Sequence, residues 1–475
     1  MLPENIGSAM KNELNINQML PVLGIEKDCI LSKQGDITIV FRARLPEIFT
    51  LSDGEYENLH QAWIKAIKVL PGHSILHKQD WFLKRNYQGE QLPENHSFLN
   101  QSSQPHFQDR EFLDHECYIL LTKKTAGRKS SSSLTSSLLS SKLVPEESLS
   151  QSAFEEFLDK ASQFQRVLEE SQLIRLERLS AEGSQSYRRK TGLIERYCSL
   201  QEKETELEYK DISFDQGIQI GNQFARLYTL GDAADLPHLC GSRMTYDQFS
   251  TDKTRFPISF AAPLGLLLQC NHLYNQYIFI DDARATLKKM ESKRLRLQSL
   301  SAYSRENAIA RDAVNDFLNE AISQQRLPVK AHFNVMAWSD DPKELNELKN
   351  KVSSALAQMD AAVKPESTGA PQIWWAGIPG NAAEFPMNDS FDTFAEQAAC
   401  FLNMETGYRS DLIKDGIRFC DRLSGRPVYA DLFVGPRAKG ISANMGTLVK
   451  KKITLKVLFF ISYHLICLQF ISIAF

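Results

Sequence analysis

The chain has 475 residues, 43% apolar and 24% charged, enough for two or three domains with a sizeable core. Its 55 Lys and Arg against 58 Asp and Glu give a net charge of −3, so nothing overall demands nucleic acid, although local basic patches stay open. Eight cysteines lie far apart without a C-x-x-C pair, which speaks against a zinc ribbon or a thioredoxin-like site and suits a reducing cytosol.

The N-terminal run MLPENIGSAMKNELN lacks an apolar core of signal-peptide length. The first structured stretch, CILSKQGDITIVFRARL, reads as a β-hairpin turning at Lys33-Gln34-Gly35-Asp36. Ser52 and Glu55 form an S-x-x-E capping box, and Leu59, Ala62, Trp63, Ala66, Ile67 and Leu70 then recur with helical spacing. Pro71-Gly72 ends that helix. Two further strands are expected at 74–83 and 118–122. Residues 1–125 thus read as an α+β subdomain with a hairpin.

Residues 126–148 (GRKSSSSLTSSLLSSKLVPEE and neighbours) are Ser-rich and read as a mobile linker. Beyond it, 149–434 reads as a mixed α/β region with a helical middle. A helix at 152–171 carries Phe154, Phe157, Leu158, Ala161, Phe164 and Leu168 on one face. TGLIERYCSL is a helical patch, and 217–230, 258–268 and 274–280 are β-prone. Residues 282–326 are strongly helical. Their KKMESKRLRL run could touch phosphate or acidic lipid, but Glu291 interrupts it, and it reads as a solvated helix face. At 329–338 a strand places Phe333, Val335 and Ala337 on one side. Asp341 as cap with Pro342 at the first helical position opens a helix striped by Leu345, Leu348, Val352, Ala355, Leu356 and Met359. QIWWA at 372–376 is the expected returning strand, burying one of Trp374 and Trp375, which makes a βαβ unit over 329–376.

No constellation for chemistry emerges. The nearest approach to a phosphate-binding G-x-x-x-x-G-K-[ST] loop is Gly435-Pro436-Arg437-Ala438-Lys439-Gly440, followed by Ile441-Ser442. It lacks the Lys that neutralises phosphate, and Pro436 removes an N–H donor. There is no G-x-S-x-G, no H-E-x-x-H and no G-x-G-x-x-G after a strand. Asp114-His115-Glu116-Cys117 gathers acid, imidazole and thiol, but neighbours on a strand point to opposite faces, so a structural role is expected. Cys270 and His272 sit two apart without two further ligands at suitable spacing, and a buried thiol is the expectation. No catalytic, cofactor-binding or metal-ligating residue is therefore assigned, and no nucleic-acid site.

Five stretches nevertheless resemble the TraG family of Bacteroidetes conjugative transposons, relatives of the type IV secretion ATPases. They are AIKVLPGHSILHKQDWF (66–82), TGLIERYCSL (191–200), SFAAPLGLLLQCNHLYNQYIFI (259–280), AHFNVMAWSDD (331–341) and WWAGIPGNAAEFP (374–386). The resemblance runs over about 19–449. It implies an N-terminal, non-catalytic portion that precedes a RecA-like motor, with ATP and Mg bound only by that motor. It also implies conjugative DNA transfer as the setting. Partners would be inner-membrane channel components and sister subunits at the cytoplasmic face. GPRAKGISANMGTLV (435–449) resembles the run-in to the motor's first strand.

Where the motor's loop is expected, the chain reads KKKITLKVLFFISYHLICLQFISIAF (450–475). One reading is a frameshifted tail, favoured because the break falls inside an expected core strand. The other is an anchor: residues 453–475 are mostly apolar and as a helix would span about 35 Å, behind Lys450, Lys451 and Lys452. On that reading the chain is a tail-anchored accessory protein without a motor. On either, the chain itself is not an ATPase.

Overall fold

The hairpin turn is built as its residues dictate. Ser32 Oγ donates to Asp36 Oδ2 at 2.8 Å, and Gly35 adopts φ 84°, a conformation that a side chain would disfavour. The computed structural model describes residues 20–88, 104–124, 128, 130–131, 133–139, 151–184, 192–200, 211–215, 217–362, 364–410 and 417–430. The expected run-in at 435–449 and the tail at 450–475 lie outside them.

The fold is α+β. In chain order the strands of the main sheet are β1 (Val22–Glu26), β2 (Cys29–Ser32), β3 (Ile37–Arg44), β4 (Ser74–Asn86), β5 (Glu111–Lys123), β6 (Arg175–Arg178), β7 (Ile212–Ser213), β8 (Ile218–Ile220) and β9 (Gln223–Leu230). The small hairpin β10 (Arg243–Thr245) and β11 (Pro257–Ser259) stands apart. The sheet resumes with β12 (His272–Ile280), β13 (Pro328–Ser339), β14 (Lys364–Glu366) and β15 (Phe391–Phe394), and a second hairpin follows, β16 (Ile417–Cys420) with β17 (Pro427–Ala430). The sheet runs β1-β2-β3-β5-β4-β12-β13-β9-β8-β7, with β6, β14 and β15 added on β3, β9 and β13. Its strand pairs are antiparallel.

Among the described residues the helices of six or more residues are α1 (Asp53–Val69), α2 (Leu134–Leu139), α3 (Gln151–Glu169), α4 (Leu193–Ser199), α5 (Ala283–Leu300), α6 (Arg305–Ser323), α7 (Glu344–Gln358), α8 (Ala370–Gly377) and α9 (Ala395–Cys400). Helix α1 starts at the expected capping box: the Ser52 side chain accepts from Glu55 N, and Glu55 answers to Ser52 N at 2.7 Å. Its stripe of Tyr56, Leu59, Trp63 and Ile67 is fully buried, each side chain contributing roughly 1.5–3 kcal/mol. Together α1, α3, α7 and α9 cover one face of the sheet. Helices α4 and α8, with Leu134 and Leu138 of α2, cover the other. Helices α5 and α6 pack chiefly on each other, through Met290, Leu297, Val314 and Leu318.

Five expectations are corrected. Residues 1–125 are not a separate subdomain, because β4 pairs with β12 from His272↔Phe82 to Ile280↔Ser74 and joins the two regions in one sheet. The Ser-rich stretch 126–148 is not spacer throughout: Leu134 and Leu138, four apart, seat α2 on the sheet, and the Arg128 guanidinium donates to Asp36 and Glu384. The βαβ unit at 329–376 is split. QIWWA lies in helix α8, which Pro371 opens, and both Trp374 and Trp375 are buried. The returning strand is β14, and both it and β13 pair antiparallel with β9 lying between them. A five-residue apolar run has no period to separate strand from helix. Finally, α7 begins at Glu344: Asp341 Oδ1 accepts from Lys343 N at 2.9 Å and closes a turn before the helix. The β-prone stretch 258–268 likewise yields only β11 and a tight 3₁₀ turn around Pro263.

Gly377 ends α8 under Tyr197, whose hydroxyl donates to the Trp374 carbonyl at 2.8 Å. A Cβ at Gly377 would lie 2.1 Å from that hydroxyl oxygen. Gly377→Ala should destabilise the fold by about 1–3 kcal/mol, read as a lowered denaturation midpoint at unchanged slope. An unchanged midpoint would show that α8 is free to shift.

Candidate functional site: the two faces of strand β5

The motif Asp114-His115-Glu116-Cys117 falls in β5, and its side chains divide between the two faces as strand geometry requires. His115 and Cys117 enter the face under α1. There Lys78 and Asp80, two apart on β4, are both fully buried and ion-paired. Asp80 also accepts from His115 Nε2 at 2.9 Å, Asn403 Nδ2 at 3.1 Å and Gln276 Nε2 at 2.7 Å. Three of these donors sit on other segments, so one carboxylate ties β4 to β5, to β12 and to the chain after α9. Burial alone would raise the Asp80 pKa, but the Lys78 ammonium and the His115 bond hold it well below the usual carboxylate range. Burial lowers the pKa of His115 despite Asp80. The neutral ring therefore donates from Nε2 and accepts at Nδ1 from Thr406 Oγ1, 2.8 Å away. Phe82 lies between His115 and His272, stacked on each with ring centroids 4.3 and 4.6 Å apart.

Close by, Tyr56 Oη donates to Glu405 Oε1, and Ser259 N donates to Glu405 Oε2 at 3.1 Å. Burial pushes the Glu405 carboxyl up to about 8. Neither carboxylate borders the cavity between Ile75, Lys124, Arg128, Phe279 and Met387. Substrate chemistry needs access as well as perturbed groups; this layer has the groups and is sealed.

Asp114 and Glu116 enter the opposite face and gather arginines. Asp114 receives Arg85, Arg426 at 2.7 Å and Arg409 at 3.7 Å. Glu116 receives Arg85 at 2.9 Å and Arg196 at 2.7 Å, and Arg196 lies 4.7 Å over the Trp81 ring. Burial opposes ionisation of Glu116, but Arg196 and Arg85 hold its carboxyl far below its ordinary pKa. The cluster clamps α4 and the β16–β17 hairpin to β4 and β5. Deeper on this face, His77, Gln79, Asn275 and Asn334 form a buried chain with links of 3.0–3.1 Å.

Cys270 and His272 are both buried. Each ring nitrogen of His272 faces a backbone carbonyl, that of Cys270 at 2.9 Å and that of Leu264 at 3.2 Å. Among the described residues no group of three or more His, Cys, Asp or Glu is placed to hold a metal ion. The sequence reading missed Lys78, Asp80, Gln276 and Asn403 altogether. The available signal was the opposite charge two apart on an expected strand.

With this geometry in hand, comparison with known proteins adds one match. A family model described as "Domain of unknown function, B. Theta Gene description (DUF3875)" covers residues 9–61. Its described part spans β1 to β3 and the first half of α1. No curated protein matches the chain.

The buried groups on the two faces can be tested separately. Lys78→Met leaves the Asp80 charge without its cation and should cost about 3–5 kcal/mol in denaturant titration; adding Asp80→Asn should recover part of it. No recovery would mean that Asp80 is stabilised by its other donors alone. Burial lowers His77 to about 3 and His272 and His332 to about 4, whereas an unfolded His titrates near 6.5. Their stabilisation is thus complete above pH ~6.5 and is lost as pH falls through the folded values, about 2 kcal/mol for each between pH 7 and 5. Glu405 acts oppositely, its raised pKa removing stability as pH climbs from ~4.5 to ~8. Stability measured at pH 5 should therefore lie below that at pH 7, and Glu405→Gln should steepen the difference. A flat profile would contradict both assignments.

Proposed function

We propose that this chain is the docking and assembly portion of a TraG-type conjugation ATPase and does not itself turn over ATP. It sits peripherally on the cytoplasmic face of the inner membrane and contacts channel components and sister subunits. One observation carries the reading: the five stretches that bear the resemblance, scattered over more than 300 residues of sequence, meet in one nucleus. Segments 66–82, 259–280 and 331–341 supply β4, β12 and β13, which are consecutive in the sheet. Segments 191–200 and 374–386 supply α4 and the second half of α8, which close over those strands through Trp81, Tyr197, Trp338 and Trp374. A likeness that collects into one packed unit is what a shared fold would leave in two sequences.

Among the described residues no helix is long and apolar enough to cross a membrane. A second reading, a tail-anchored accessory protein, rests on the apolar run at 453–475.

In donor cells carrying the element that encodes this chain, removing its gene should sharply reduce transfer frequency, and the intact gene should restore it. Unchanged transfer would overturn the assignment. Calorimetric titration of the chain with Mg-ATP should give no binding heat, because no Lys follows Gly440. Micromolar, magnesium-dependent affinity would remove the non-catalytic reading.

A further inference from the structure

Helices α5 and α6 form an arm inserted between β12 and β13. Helix α5 is about 27 Å long at 1.5 Å per residue. Its two helices are charged oppositely. Helix α5 carries six basic residues and one acidic; α6 carries two basic and four acidic. The one acid of α5, Glu291, turns toward Arg294 and pairs with it at 2.7 Å. Arg284, Lys288, Lys289, Lys293 and Arg296 are all exposed; Arg284, Lys288, Lys289 and Arg296 turn away from Met290 and Leu297, the contacts with α6, while Lys293, three residues after Met290 and four before Leu297, borders that contact. The helix therefore presents five exposed cations, and its one carboxylate, Glu291, three residues after Lys288 on the same side, is already paired with Arg294. Toward the far end of the arm the surface becomes apolar. Leu295 is 54%, Leu300 41%, Tyr303 86% and Ile309 61% exposed.

We infer that the outer face and tip of this arm dock on an anionic lipid bilayer. The inference deepens the peripheral placement proposed above and rests on it. Cations along the helix meet lipid headgroups, while Leu300 and Tyr303 enter the headgroup boundary, as basic amphipathic helices do. The acidic outer face of α6, with Asp312 and Asp316 exposed, is repelled by the same surface, which sets the arm's rotation. A nucleic-acid duplex would satisfy the cations but would offer the apolar tip no burial. Lipid accounts for both features.

The test uses the full chain, with lysine acetylation read residue by residue by mass spectrometry. Vesicles of equal parts phosphatidylglycerol and phosphatidylcholine should slow acetylation of Lys288, Lys289 and Lys293, and pure phosphatidylcholine should not. Replacing these three exposed lysines by Gln should lower vesicle affinity about a hundredfold, at roughly fivefold per charge. If the chain sediments with vesicles while the three lysines react at their free rate, the arm is not the contact and the peripheral placement survives. If it does not sediment at all, that placement fails and the arm with it. Protection of the same lysines by duplex DNA at lower concentration than by vesicles would overturn the choice of lipid.

Discussion

The ion pair between Lys78 and Asp80 is the constraint around which the molecule is arranged. Both side chains are fully buried in the middle of a wide antiparallel sheet. Two charges removed from water cost several kcal/mol each unless their remaining hydrogen-bonding capacity is met. It is met here only when β5 delivers His115, β12 delivers Gln276 and the chain after α9 delivers Asn403. A one-residue slip of β4 against either neighbour would turn Lys78 and Asp80 to the other face and leave their partners unpaired. The pair is weak evidence for stability but strong evidence for register. The fit also explains why residues 400–406, with little regular structure, are buried throughout.

The same layer shows how burial and pairing alone perturb ionisable groups. Burial and pairing displace the pKa of His115 downward, of Glu405 upward and of Asp80 downward. Such shifts often mark catalytic centres, yet structural networks produce them too. What separates the two cases is access, and the polar layer lies beneath α1. The arginine cluster on Asp114 and Glu116 completes the picture from the other face. It draws α4 and the β16–β17 hairpin onto the same two strands, so β4 and β5 are fixed from both sides.

Much of the local structure was legible in the sequence. Helix α1 was readable because its capping box and apolar stripe agree, and β13 because Phe333, Val335 and Ala337 alternate cleanly onto the face covered by α7. What stayed hidden was non-local. His77-Lys78-Gln79-Asp80 reads as a polar, edge-like run, yet it forms the centre of the sheet, since its partners lie nearly two hundred residues away in β12 or beyond α9. Helix α8 was hidden because a short run apolar on every side carries no periodicity. Helix α2 was masked by serines around Leu134 and Leu138. The split of β13 and β14 by β9 depends on a strand that precedes both, and no local pattern encodes it. The division of Asp114 through Cys117 between faces was predictable; the arginines that meet two of them were not.

The central claim is that β4, β5 and β12 form one cooperative unit held by the Lys78–Asp80 network. Native-state hydrogen exchange on the intact chain tests it most directly. The amides of Leu76–Phe82, of Cys117–Leu121 and of Tyr274–Ile278 should be the slowest in the molecule. They should share one opening free energy with equal denaturant dependence, as a single foldon does. If β12 opens at distinctly lower free energy than β4 and β5, the sheet is two units in contact and the network does not organise it.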